Sequence, residues 1–329
     1  VFQTEIFREN LEKLRWARFR LTYRAKEKII FPEYKGSTFR GPFGHAFRRL
    51  VCTRSEFPAC LPCPIHFNCP YAIVFESSPP PNSLLMKDFS DSPRPFIIEP
   101  DLDPKTEYLE GEHFFFDLVI FGDAIQFFPY FVLTFRELTS QGIGKTRGKA
   151  ALERIDFHGN GETKTMYREQ DGLLSPNFEP QTGKFLLNGE KEILKDSQDL
   201  TVRFKTMTRL QYRGHLVEFP HFHILFRNLV RRISALLFLY HGSRMELDYS
   251  QLFSLAEKVD LKNNLAVWVD WARYSRRQQE KMFMGGLIGE TTYCFEKIEP
   301  DFFLPFLIAG QVTHVGKGTV FGLGKYEIV

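Results

Sequence analysis

The sequence contains no apolar run near the roughly 18 residues that a membrane-crossing helix needs. Its longest, such as Ile233 to Tyr240, fall far short. No secretory leader is visible either, since charges already interrupt the first fifteen or so residues. Charge of one sign is also missing. With 43 Lys and Arg against 40 Asp and Glu, the formal balance is +3, so any nucleic-acid binding has to rest on local clusters rather than on a whole-chain field. Cysteine is scarce: there are five, four of them between Cys52 and Cys69, which does not make a secreted disulfide framework and fits a reducing cytoplasm. The chain starts at Val1, which leaves open that it is part of a longer polypeptide.

What is abundant is phenylalanine, 35 residues in 329, and with 43% apolar content the chain has enough to bury two cores of ordinary size. Most of these rings belong inside rather than on a stacking surface.

Taken in order, Gln3 to Ala17 suits an amphipathic helix or an extension packed on the first domain, and Phe19 to Ala25 alternates as a first strand. After the turn at Pro32 to Gly36, the period changes in STFRGPFGHAFRRLVC. Phe43, Phe47, Leu50 and Val51 form one helical stripe, and His45, Arg48, Arg49 and Cys52 share another face at i, i+3, i+4 and i+7. That face is the leading candidate for chemistry. Next comes the spacing C-x7-C-x2-C-x5-C, made by Cys52, Cys60, Cys63 and Cys69 among four prolines. Four thiolates so close suit a structural zinc with no open position for water, with His66 as a spare ligand, or else they are reduced loop cysteines.

Strand candidates follow at Phe96 to Glu99 and His113 to Phe121, a helix at Ala124 to Leu138, and a glycine-rich turn, GIGKTRGK, before a last strand. This order is a split β-α-β of the ferredoxin-like plan. Residues 159–200 read as a polar, turn-rich connection with short hairpins. Thr201 to Met207 then opens a second unit of the same plan, with a helix in the segment from Phe219 to Gly242 whose other side carries His223, Arg227 and Arg231. Two strands, Ala266 to Tyr274 and Met284 to Phe295, flank a basic turn with Arg273, Arg276, Arg277 and Lys281, and a helix candidate runs from Phe302 to Ile308. The chain closes on GQVTHVGKGTVFGLGKYEI, with a final strand expected from Val320 to Ile328. Gly316, Gly318, Gly322 and Gly324 there, beside Lys317 and Lys325, let the backbone lie close to a phosphate; a glycine-rich hairpin closing a sheet has the same look.

The expected fold is therefore α+β, two tandem ferredoxin-like (βαββαβ, RRM-like) domains. They span 1–158, with the cysteine-rich insertion at 52–70, and 201–329, joined by 159–200.

In TFRGPFGHAFRRLVC, the cysteine segment running into CPYAIVFE, WARYSRRQQEKMFMGGLIG and the terminal GKGTVFGLGKYEI, the chain resembles the CRISPR repeat-processing endoribonucleases of the repeat-associated mysterious protein superfamily. The resemblance covers both halves and leaves mainly the middle connection unmatched. It implies RNA lying across a cleft or basic face between two domains and metal-independent cutting of repeat RNA in a precursor transcript. The RNA's own 2′-hydroxyl would attack, leaving a 2′,3′-cyclic phosphate and a 5′-hydroxyl. His45 is then expected as the acid or base, Arg48 and Arg49 as phosphate-positioning groups, Arg40 as a helper, and Tyr34 or Lys35 as a further partner. His113 and His314 are the other histidines whose place in space bears on the site. Arg227, Arg231, Arg273, Arg276 and Arg277 are expected to contact RNA, together with Gly316, Lys317, Gly318, Gly322 and Gly324. A CRISPR effector or adaptation complex is the expected assembly. The rivals are a non-catalytic RNA-holding subunit of the same superfamily, a zinc-dependent nucleic-acid-binding module, and one domain of a larger fused CRISPR protein.

Overall fold

The computed structural model describes residues 8–57, 59–76, 92–187, 198–275 and 280–329. Two compact units emerge, one of Arg15–Gln181 and one of Val1–Leu14 with Thr182–Val329.

The first unit is built on strand β1, Arg15–Ala25. Its alternation sends Phe19, Leu21 and Tyr23 into the core, each fully buried, while Arg18, Arg20 and Arg24 line the other face. After β1 come helix α1 (Gly36–Val51), strands β2 (Phe96–Pro100) and β3 (His113–Phe121), helix α2 (Phe128–Ser140), and strands β4 (Ala150–Gly159) and β5 (Glu162–Arg168). The main sheet path is antiparallel in the order β2-β3-β1-β4-β5. Apart from β5 this is the ferredoxin-like arrangement, and the two helices cover its apolar face. Phenylalanine does much of the packing: Phe43 of α1 stacks on Phe135 of α2 with centroids 4.4 Å apart, and Phe19 stacks on Phe128 at 3.8 Å. On the opposite face register places Arg20 opposite Asp117, and Arg18 donates to both oxygens of Glu99 at 2.7 and 3.0 Å. Alternating signs across neighbouring strands thus neutralise a face rich in arginine.

The second unit repeats the plan with β6 (Asp199–Thr208), α3 (Phe222–His241), α4 (Tyr249–Ala256), β7 (Asp260–Asn264), β8 (Val267–Val269), the paired strands β9 (Ala272–Ser275) and β10 (Glu280–Phe283), β11 (Gly286–Cys294), α5 (Leu304–Thr313) and β12 (Tyr326–Ile328). The sheet runs β7-β11-β6-β12, with β8 also paired to β11. Helix α3 buries twelve side chains and ends at Gly242, whose φ of 61° allows the left-handed cap. Phe226 on α3 meets Phe303 and Phe306 edge-on at 4.9 and 5.4 Å.

Four expectations about elements change. Among the described residues near the start helix occupies 8–12, because Arg15 to Ala17 already belong to β1; residues 3–7 of the expected helix lie outside the described residues. Glu162–Arg168, expected within a connection, is a strand hydrogen-bonded to β4. The second strand of the C-terminal unit is the polar DLKNN of β7 continued by β8, while residues from Ala272 onward form a separate hairpin. The final strand is only Tyr326–Ile328, since Thr319–Phe321 is a tight helical turn.

Candidate active site

Helix α1 presents His45 to solvent, because Phe43 and Phe47 on the opposite side of the helix, with Ala46, are the residues buried against α2 and the sheet. The turn leading to it is unusual for a helix, with Gly41, Pro42 and Gly44 in succession and Pro42 unable to donate an intrahelical hydrogen bond. Gly44 has a packing reason. A Cβ there would stand 3.3 Å from both the Arg40 guanidinium and the Phe75 ring. The Arg40 guanidinium lies over that ring at 5.0 Å and over Phe96 at 5.7 Å, so Arg40 is stacked into the unit.

The two arginines expected beside His45 both lean elsewhere. Arg48 donates to the carbonyl of Phe57 at 3.0 Å and lies 5.6 Å over Tyr71, on the side of the cysteine loop. Arg49 pairs with Glu137 of α2 at 2.5 Å, a contact in which both side chains remain partly exposed. Such an exposed pair contributes little, and a phosphate would compete with it. Tyr34 sits half-buried two residues before α1. Lys35 is buried, donating to the carbonyls of Asp103 at 2.7 Å and Asp101 at 3.4 Å. Burial holds its pKa below the ordinary lysine value, against the pull of Asp101 and Asp103. It ties the 101–103 loop to the start of α1, so it takes a structural place.

The other histidines are settled by their partners. His113 is exposed and sits 3.1 Å from the Glu153 carboxylate, which Arg24 also holds at 3.0 Å. His314 is completely buried, with Nδ1 3.0 Å from the carbonyl of Leu323.

Cys52, Cys60, Cys63 and Cys69 line one cavity of about 20 Å³ together with His66, room for roughly one water. None is in a disulfide. Burial and then Glu76 raise the Cys60 thiol above its ordinary value, which favours the protonated form. Among the described residues no three His, Cys, Asp or Glu side chains stand as a ready set of metal ligands. His66 instead places Nδ1 3.0 Å from the carbonyl of Cys60.

In the second unit the glycine-rich crossing runs from α5 to β12. Gly316, Gly318, Gly322 and Gly324 all take positive φ, between 73° and 82°. A Cβ on Gly324 would lie 1.9 Å from the carbonyl of Val315, and one on Gly316 2.4 Å from that of Arg209. Several amides turn inward: Lys317 donates to Arg209, and Gly324 to Met207. Lys317 keeps its side chain exposed. Beneath the crossing, Arg232 of α3 is buried and donates from Nε to the carbonyl of Thr313 at 2.5 Å, burial pushing its pKa down to about 9. Thr206 of β6 pins the crossing from the sheet side, donating to Gly322 O and accepting from Lys325 N, both at 2.9 Å. Neither residue stands out in the sequence. Arg232 follows the exposed Arg231, and Thr206 sits in an ordinary strand. Arg227 is held by Glu257 at 3.0 Å and lies 4.2 Å over Phe253. Arg231 is exposed. Arg273 falls on strand β9, and Arg276 and Arg277 lie outside the described residues.

Both units are thus ferredoxin-like, each with a glycine-rich crossing from a helix to a sheet strand, α2 to β4 in the first and α5 to β12 in the second. Residues 14–179, half of the chain, match the model of an N-terminal domain designated AF_1859_N, and residues 202–326 match that of the CRISPR-associated endoribonuclease Cas6. The chain therefore belongs with the proteins that carry this N-terminal domain, and its second unit matches the Cas6 endoribonuclease model. Among solved structures, a Cas6 (TTHB231) product complex is similar over 95% of this chain and 100% of its own, at 15% identity and a TM-score of 0.57. Thermus thermophilus Cas6 of the same designation is similar over 96% of this chain and 99% of its own, at 14% identity and a TM-score of 0.52. The Cas6 portion of a Cas6-RT-Cas1–Cas2 complex is similar over 96% of this chain but only 29% of that one, at 14% identity and a TM-score of 0.53. These likenesses show the fold. No curated protein matches the chain by sequence.

Proposed function

We propose that this chain is a metal-independent endoribonuclease that cuts the repeat of CRISPR precursor RNA, with His45 as its acid or base. The observation that carries the site is the position of His45 on α1, exposed and without a hydrogen-bond or ion-pair partner among the described residues, in a chain whose second unit matches the Cas6 model. In the reaction the ribose 2′-hydroxyl loses its proton and attacks the adjacent phosphorus, while the P–O5′ bond breaks and the leaving oxygen takes up a proton. A cyclic phosphate and a 5′-hydroxyl result. A histidine that titrates near neutrality suits either proton transfer. Arg49, released from its exposed pair with Glu137, and Arg48 at the next turn supply positive charge for the phosphorane; Tyr34 is a candidate for the second proton transfer.

Lys317 and the glycine-rich crossing of the second unit hold the RNA without reacting, with Arg227, Arg231, Arg273, Arg276 and Arg277 as further contacts. The inward amides assign this crossing shape and the Lys317 charge rather than a ring of free N–H donors. A structural zinc on Cys52, Cys60, Cys63 and Cys69 is the finer reading of the first unit's loop, supported by their shared cavity; the cutting step draws nothing from it. Among the described residues no helix is long and apolar enough to cross a membrane, and a cytoplasmic place beside a CRISPR effector or adaptation complex agrees with the Cas6-RT-Cas1–Cas2 likeness.

The test is incubation in EDTA with a labelled repeat RNA, comparing the unmodified protein with His45→Ala. A single cut ending in a cyclic phosphate, slowed at least 100-fold in the variant while binding persists, is expected. Engagement of both Arg48 and Arg49 away from His45 favours a second reading, an RNA-holding subunit that does not cut. Tight binding with no product from either protein would select it.

A further inference from the structure

The first unit carries a basic cleft that the nuclease reading leaves unused. It is a hollow of about 320 Å³, lined by Lys26 after β1, Arg136 and Ser140 in the last turns of α2, Lys149 at the start of β4, and Tyr167 and Glu169 at the end of β5. Elsewhere in this unit the arginines of β1 are neutralised: Arg18 by Glu99, Arg20 by Asp117, Arg24 by Glu153. The cleft differs. Among the described residues Lys26 and Arg136 have no acidic partner, and Lys149 reaches Glu27 only at 3.7 Å. The single carboxylate in the lining, Glu169, is shared with Arg24 at 3.4 Å. Three cations against one carboxylate leave an excess of two positive charges. The C-terminal end of α2 opposes an anion here, but its dipole is equivalent to only about half a charge.

Position adds a second argument. The cleft borders the turn between α2 and β4, where Gly142 and Gly144 take positive φ and the exposed Lys145 and Arg147 stand. That is the topological counterpart of the glycine-rich crossing between α5 and β12. The pseudo-repeat thus places a second basic glycine-rich turn at the equivalent point of the other unit.

We infer that this cleft binds the phosphate backbone of a single-stranded segment of the RNA, away from the cut. Its volume lies at the small end of ligand sites, about 300–1,000 Å³, which suits a nucleotide or two threaded through rather than a duplex. The unpaired cations supply the attraction, and the buried Tyr167 forms part of the wall. The inference rests on RNA being the substrate, but not on His45 cutting it.

The test compares the unmodified protein with Lys26→Glu/Arg136→Glu and with Lys26→Gln/Arg136→Gln, after equal melting temperatures confirm folding. Binding is read by anisotropy over a salt series, using a full repeat with its single-stranded flanks, the repeat stem alone, and inorganic phosphate as competitor. For the flanked RNA, loss of two phosphate contacts should flatten the slope of log K against log salt by about 1.4 and weaken binding roughly tenfold or more at low salt. The stem alone should bind unchanged. Equal slopes for all proteins would overturn the inference, as would an equal loss on the stem. Competition by phosphate as strong as by flanked RNA would reassign the cleft to a small anion. A protein that binds but does not cut would sink the nuclease reading and leave this slope comparison intact.

Discussion

The two glycine-rich crossings occupy the same place in the two units and differ in how deeply they are buried. Between α5 and β12 the chain passes under its neighbours: Thr313, His314, Val315 and Leu323 are buried, and the backbone runs so close to Val315 and Arg209 that only glycine fits. Between α2 and β4 the turn is short and Lys145, Thr146 and Arg147 stand exposed. Both use one threonine hydroxyl as a staple. Thr206 does so in a dry setting, while Thr146 donates to Lys28 O at 3.0 Å and accepts from Ile30 N at 3.2 Å at the surface. Both crossings are tight, since a Cβ on Gly142, Gly144 or Gly148 would also stand 2.2 to 2.6 Å from a backbone carbonyl, but only the first carries a cluster of exposed charged side chains at its tip.

The largest effect that would break this contrast is at Gly324. Alanine there forces a side chain into the Val315 carbonyl at a φ of 73°, and a loss of about 3 kcal/mol or more is expected, read by denaturant unfolding. A smaller loss would mean that the buried crossing relaxes freely. Next comes the pair of staples. Thr206→Val leaves a buried carbonyl and a largely buried amide without a partner and should cost about 2 kcal/mol, while Thr146→Val, where water substitutes, should cost about 0.5 kcal/mol or less. Equal costs would erase the distinction between dry and wet crossings. The smallest stability change belongs to Lys145→Gln with Arg147→Gln, within about 0.5 kcal/mol, with weaker RNA binding at low salt as the visible consequence. Melting that falls sharply instead would show that these charges support the fold.

Helix α3 was legible to its glycine cap, with its start at Phe222 three residues inside the segment read from Phe219, because a long 3.6-residue period with a stop signal is a local property. So was the outward face of α1 with His45, although Leu50, counted in the apolar stripe, is 40% exposed near the helix end. Strand β7 was not legible: DLKNN has no apolar alternation and is a strand because β11 offers it a ladder. Strand β5 hid in the same way within a polar stretch. The direction taken by Arg48 and Arg49 depends on the Phe57 carbonyl and on Glu137, and Glu137 lies 88 residues from Arg49. The inward amides of the glycine-rich crossing depend on carbonyls of Arg209 and Met207, more than 100 residues away in sequence. Spacing shows which residue types sit together on an element; it does not show which distant group has already claimed them.

The segment preceding β1 packs with the second unit. Asn10 accepts from Ser243 at 3.0 Å, Leu14 accepts from the Gly183 amide, and a side chain on Gly183 would collide with Leu11. The whole of Arg15–Gln181 is thus inserted, in chain order, into the other unit. On a ribosome making about 5–20 residues per second, the first-made residues of that unit wait roughly ten to thirty seconds for Thr182 to appear, and the inserted unit has time to fold in the interval. Biogenesis therefore runs from the inserted unit outward, with the segment before β1, though synthesised ahead of that unit, settling after it.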